Sequence, residues 1–206
     1  MECKIKDISI NYEIIGEGKP IIMIHGYYAD NRVMAGCMEP IFSVKDGYKR
    51  IYIDLPGMGK SESAEWITNS DIMLDIVIDF IEKIIPNENF LIVGNSYGGY
   101  LSRGVVYKMQ DRVDGIVLIC PLLIPDYKKR NLPEHVVLVK DDMLISKLTP
   151  EVAEDFNSCM VVRKSSSVGY FSINDLDTKL RRATSKDFTI SSRQNDSLID
   201  IYIYKP

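Results

Sequence analysis

The chain has 206 residues, 46% hydrophobic and 26% charged, with 25 Lys+Arg against 29 Asp+Glu for a formal net charge of -4. That length suits one sizeable core rather than two independent domains, and the lack of any long cationic block excludes the usual footprint of nucleic-acid or anionic-membrane binding. No apolar run reaches the roughly 18 to 20 residues of a membrane span, and the first residues lack an apolar signal stretch, so a soluble cytoplasmic protein is expected.

In chain order, Ile8 to Ile15 alternates apolar and polar residues, as a half-buried strand does, and ends at the turn Gly16-Glu17-Gly18-Lys19-Pro20, where an antiparallel hairpin is expected. Ile21 to Ile24, Arg50 to Leu55 and Phe90 to Val93 are continuous apolar runs, the form taken by central parallel strands buried on both faces. Ser70 to Ile85 carries Ile72, Ile76, Val77, Phe80, Ile81 and Ile84 at helical spacing, with Ser70 as its expected cap and Pro86 as its stop. Tyr97 to Gln110 reads as the next helix and Val113 to Cys120 as the next buried strand. This rhythm defines an α/β class: a mostly parallel sheet with helices on both faces. After Pro121 it stops, and Pro121, Pro125, Pro133 and Pro150 interrupt a mixed, charged region to about residue 185. Residues 1–120 are therefore expected to form the core, 121–185 an inserted cap, and 186–206 a return to the core through the strand-like Phe188-Thr189-Ile190 and a tail.

The four cysteines, Cys3, Cys37, Cys120 and Cys159, form no C-x-x-C pair, so no disulfide framework, thiolate zinc site or other metal or organic cofactor is implied. The turn Asp54-Leu55-Pro56-Gly57-Met58-Gly59-Lys60-Ser61 lacks phosphate-loop spacing, because only Met58 separates its two glycines. The informative segment is Phe90-Leu91-Ile92-Val93-Gly94-Asn95-Ser96-Tyr97-Gly98-Gly99, a buried strand, then G-x-S-x-G, then a helix. That context suits a nucleophile elbow, where a sharp turn lifts the serine hydroxyl above the sheet. Ile24-His25-Gly26-Tyr27 ends another buried strand. A loop there can bring the Tyr27 amide beside that of Tyr97, so that the two form an oxyanion hole. His25 itself is expected to shape the turn through hydrogen bonds.

These segments, in this order and at these separations, resemble the α/β-hydrolase superfamily, in particular small hydrolases with a helical cap. The resemblance covers about residues 5 to 125 and returns at Thr189-Ile190-Ser191-Ser192-Arg193-Gln194-Asn195-Asp196, similar to the strand and turn that carry the family's triad acid. Ser192 stands where glycine is usual and Asn195 is an extra residue, so Asp196 is an imperfect match. By resemblance, Ser96 is the nucleophile, Asp196 the acid, and the substrate a small, partly apolar molecule cleaved at an ester, amide or C–C bond.

The family order is Ser, acid, His. Ten residues follow Asp196 and none is histidine; the other imidazole, His135, precedes it within the expected cap. Three accounts stand: a chain shortened relative to an active parent, a non-catalytic relative that binds a ligand or partner on the same fold, or recruitment of His135. The recognisable acid segment followed by a short tail favours the first, in which the last strand-helix unit is missing. The alternating tail Leu198 to Tyr204 is then expected to cover the exposed sheet edge, within the chain or across a homodimer.

Overall fold

Apolar β-branched residues at period two, or in unbroken runs, are what a sheet selects, and seven strands form among the described residues. In this computed structural model the described residues are 1–131, 142–159 and 201–204, with backbone alone for 155–159 and 201–204. The elements are β1 (Glu2–Ile5), β2 (Ile8–Ile15), β3 (Lys19–Ile24), α1 (Asn31–Phe42), β4 (Tyr48–Ile53), α2 (Ser70–Ile84), β5 (Phe90–Asn95), α3 (Tyr97–Lys108), β6 (Val113–Ile119), α4 (Asp142–Ile145), α5 (Pro150–Cys159) and β7 (Ile201–Tyr204), with a 3-10 turn at Tyr127–Lys129.

The sheet order is β1-β2-β4-β3-β5-β6-β7. β4, β3, β5 and β6 are mutually parallel, while β1, β2 and β7 run antiparallel to their neighbours. The hairpin of β2 is made with β1, through Lys6 and Asp7, and not with β3, because β4 inserts between β2 and β3. β3, the central strand, is buried from Pro20 to Ile24, and β4 from Arg50 to Ile53.

Right-handed crossovers dictate where the helices lie. The step from β3 to β4 moves one way along the sheet and places α1 on one face; the steps β4 to β5 and β5 to β6 move the other way and place α2 and α3 on the opposite face. The larger core accordingly joins Ile22, Ile24, Ile51, Ile53 and Ile92 to Ile76, Val77, Phe80 and Ile81 of α2 and to Leu101 and Val105 of α3. The smaller one joins Ile21, Met23, Tyr52 and Val93 to Met34 and Met38 of α1. Arg50 and Tyr52 secure α1 to the sheet by donating to the Glu39 carboxylate, Arg50 at 2.8 and 3.0 Å. Burial pushes the Tyr52 phenol far above its ordinary range, and the Glu39 charge adds to this.

Asn69, rather than Ser70, caps α2: its side chain accepts from the amides of Asp71 and Ile72, both at 3.0 Å. α1 carries Pro40 near its end, which removes one helical hydrogen bond.

Two compact units divide the chain, Met1–Pro125 with Ile173–Pro206, and Asp126–Ser172. In the second, Pro150 opens α5 instead of interrupting structure, as suits a residue with fixed φ and no N–H at a first helical position. Among the described residues, no helix is long and apolar enough to cross a membrane. In the first unit, β7 pairs antiparallel with β6, from Ile116 opposite Tyr204 to Ile119 opposite Ile201, so part of the expected extended tail lies on that edge.

Candidate active site

In an open α/β sheet, the crevice for a ligand lies beyond the carboxyl ends of the strands where strand order reverses. Here that point lies between β3 and β5, and the segments leaving these two strands are His25-Gly26-Tyr27 and Ser96-Tyr97.

Ser96 stands between β5 and α3 with φ 50 and ψ -115, outside the regions open to an ordinary L residue. Such a conformation persists only where surroundings fix it. The Ser96 amide donates to the Ile119 carbonyl at 3.0 Å, and the Ser96 carbonyl accepts from the amides of Tyr100 at 3.2 Å and Leu122 at 2.9 Å. The turn also needs two glycines for close approach. A methyl group on Gly98 would lie 2.2 Å from the Ile24 carbonyl oxygen and 2.5 Å from that of His25. One on Gly26 would lie 2.9 Å from Asn95 Oδ1 and 3.1 Å from the Ser96 Cβ. The Gly26-Tyr27 loop therefore lies directly against Ser96.

Among the described residues, neither the Tyr27 nor the Tyr97 amide donates a hydrogen bond to the backbone. Tyr97 opens α3, where the first amides have no intrahelical acceptor. The Tyr97 phenol donates to Ser70 Oγ at 3.0 Å, and burial raises it above its ordinary range.

His25 is fully buried. Its Nε2 accepts from the Leu55 amide at 2.9 Å, so the proton sits on Nδ1, which donates to the Gly26 carbonyl at 2.7 Å. Burial holds this imidazole below its ordinary range. It ties the β3 loop to the β4 loop and has no lone pair left for accepting a proton from Ser96.

Asp54, at the end of β4, is a buried clasp. Its Oδ1 accepts from the Asn31 amide at 2.7 Å and its Oδ2 from Asn11 Nδ2 at 2.8 Å and the Lys60 amide at 2.9 Å. It thereby joins β2, the start of α1 and the Asp54-to-Ser61 turn. Among the described residues, no group of three His, Cys, Asp or Glu side chains is placed to hold a metal ion.

Ser96, Tyr27 and Tyr97 are thus brought together, the two tyrosine rings meeting edge to face with centroids 5.7 Å apart. Asp196 and His135 lie outside the described residues. Sequence reasoning missed Tyr28, which has φ 56 and packs on Tyr27 at 4.2 Å, and Tyr100, stacked on Tyr97 at 6.2 Å. The pair Tyr27-Tyr28 directly after His-Gly was the available signal.

The family described as the alpha/beta hydrolase fold matches residues 19–158, more than half of the chain, and the chain belongs to that family. An alpha/beta superfamily hydrolase from Oenococcus oeni has a crystal structure similar to this one, with a TM-score of 0.63 and 35% identity, covering 80% of this chain and 60% of that one. Among curated relatives, a pimeloyl-[acyl-carrier protein] methyl ester esterase of Shewanella woodyi is 29% identical over 111 residues, 54% of this chain and 39% of its own length. A 2-hydroxy-6-oxo-6-(2'-aminophenyl)hexa-2,4-dienoic acid hydrolase of Metapseudomonas resinovorans is 29% identical over 112 residues, again 54% and 39%. These matches thus span well under half of the two curated relatives.

Proposed function

We propose that this chain is a serine hydrolase that cleaves an ester, amide or C–C bond of a small, partly apolar molecule through an acyl-enzyme on Ser96. The observation that carries this reading is the strained Ser96 turn, held directly against the Gly26-Tyr27 loop. A buried, hydrogen-bonded fold residue has no need of φ 50, whereas a nucleophile raised above a sheet does. The methyl ester esterase and the dienoic acid hydrolase among the relatives support a hydrolase reading, the first with an ester as its bond.

In this reading, Ser96 Oγ attacks the carbonyl carbon and the carbonyl π pair moves onto oxygen, where the Tyr27 and Tyr97 amides donate to it. Collapse of that intermediate expels the alcohol, amine or carbanion, which takes up a proton, and water then releases the acyl group. A triad imidazole oriented by Asp196 would take the Ser96 proton; where none is placed the proton passes to water, and attack is slower by the general-base factor of about 10² to 10⁴. His25 is excluded as that imidazole because its Nε2 accepts from Leu55. His135 precedes Asp196, against the family order, and residues 121–185 act as the cap that shapes specificity.

A fluorophosphonate probe tests the nucleophile. Labelling of the wild type, lost in Ser96→Ala and kept in His135→Ala, is the expected result. Equal silence of wild type and Ser96→Ala would refute an activated serine and leave a ligand-binding protein on this fold. Loss of labelling in His135→Ala would make His135 the base.

A further inference from the structure

Tyr27 and Tyr28 are 58% and 71% exposed, although they adjoin the close-packed approach of Gly26 and Gly98. Their rings tilt against each other at 4.2 Å, and Tyr27 continues edge to face onto Tyr97, which stacks on Tyr100. Four rings thus run in series from the β3 loop onto α3, with the solvent-facing end formed by the two residues that follow Gly26. Tyr28 holds φ 56, a left-handed conformation that is an outlier for a bulky side chain. A short turn maintains it, the Ala29 amide donating to the Gly26 carbonyl at 3.3 Å. Neither exposure nor strain contributes to the core, so packing does not explain this arrangement. The third ring is fixed by the Tyr97 hydroxyl on Ser70, and a tyrosine side chain offers a large contact face at small entropic cost because it has only two rotatable bonds.

We infer that Tyr27 and Tyr28 form an aromatic ledge beside Ser96 on which a flat aromatic ring of the substrate stacks, so that the site prefers esters carrying such a ring within a few atoms of the scissile carbonyl. This rests on the hydrolase reading for the word substrate, but the ledge itself is a binding surface and is testable without turnover. A planar ring gains offset or edge contacts with tyrosine that a puckered ring of the same carbon count does not.

The experiment measures binding of intact esters to the full-length Ser96→Ala protein by calorimetry or saturation-transfer NMR. Two pairs are compared: phenyl acetate with cyclohexyl acetate, and methyl benzoate with methyl cyclohexanecarboxylate. The flat member of at least one pair should bind about 2- to 12-fold tighter, the range that aromatic pairing gives. Adding Tyr28→Phe should keep this ratio. Adding Tyr27→Leu or Tyr28→Gly should bring it near one, and Tyr28→Gly relieves the left-handed backbone, so loss of fold does not confuse the result. Equal binding within both pairs, no binding of any ester, or a ratio unchanged in Tyr27→Leu and Tyr28→Gly would overturn the ledge. A flat-ring preference in Ser96→Ala with no fluorophosphonate labelling of the wild type would uphold the ledge and refute the hydrolase; labelling without a preference would do the reverse.

Discussion

The contact between Gly98 and the end of β3 lends itself to a one-methyl test. In Gly98→Ala the new Cβ starts 2.2 Å from the Ile24 carbonyl oxygen, and ordinary contact begins at 3.4 Å, so α3 and the β3 loop must separate by about 1 Å. Both obstructing groups are backbone, which cannot rotate away. Overpacking of this kind lowers stability by about 1–3 kcal/mol, or roughly 2–12 °C in Tm for a chain of this size. The same separation draws the Gly26-Tyr27 loop from Ser96, and a 1 Å misplacement lowers a positioned reaction about 10²-fold. The control is Gly36→Ala in α1, where a methyl group meets nothing within 4 Å. It should stabilise by about 0.5–1 kcal/mol, because alanine loses less backbone entropy. Thermal melts and fluorophosphonate labelling rates on both variants measure the two effects. Gly98→Ala melting with the wild type, or Gly36→Ala falling as far as Gly98→Ala, would refute the packing argument.

Three further perturbations have definite signs. Ser96→Gly releases the φ 50 conformation and should raise stability by about 1 kcal/mol while abolishing labelling; a lowered Tm would show that the turn is unstrained. His25 is held below its ordinary 6.5, so below that pH the unfolded chain binds a proton that the folded chain refuses. Stability therefore falls on acidification from about 6.5, by at most about 1.4 kcal/mol per pH unit, and urea midpoints at pH 8 and pH 5 should show a smaller drop in His25→Gln than in wild type. In Asp54→Asn one carboxylate oxygen becomes an NH2 facing donors, and bonds to a charged group are worth about 1.5–3 kcal/mol each. A loss of about 3 kcal/mol in denaturant unfolding is expected, and a change under about 0.5 kcal/mol would contradict the clasp.

The central strands and α2 were legible because burial on both faces of a strand, or on one face of a helix, leaves an unbroken or 3.6-period apolar pattern. α1 was not, although Met34 and Met38 lie on its buried face. Gly36 and Pro40 lower its helix propensity, and its start depends on Asp30, whose carboxylate accepts from the Arg32 amide at 3.0 Å. The hairpin was misassigned for a different reason: a turn signal at 16–20 marks a reversal but does not say which strand fills the adjacent slot. Ser96 was legible from two glycines and a preceding buried strand. The hydrogen bonds that occupy both ring nitrogens of His25 run to Leu55 and Gly26, backbone groups that carry no sequence signature. The strain at Tyr28 was equally silent, since a tyrosine does not announce a left-handed backbone.

The strand order also has a consequence for synthesis. β3 sits at the centre of the sheet, yet one of its two neighbours arrives late: Ile21 pairs with Arg50 on one side and with Leu91, 70 residues downstream, on the other. Once β4 has emerged from the ribosome, Ile21-Ile22-Met23-Ile24 is the open margin of a partial sheet until β5 follows, an interval of roughly 2–8 s at ordinary elongation rates. An apolar, unpaired strand margin is the template on which nascent chains cross-pair. Slower translation of residues 54–90 is therefore expected to raise the fraction of chains found in the pellet, while the melting temperature of the chains that do fold stays unchanged.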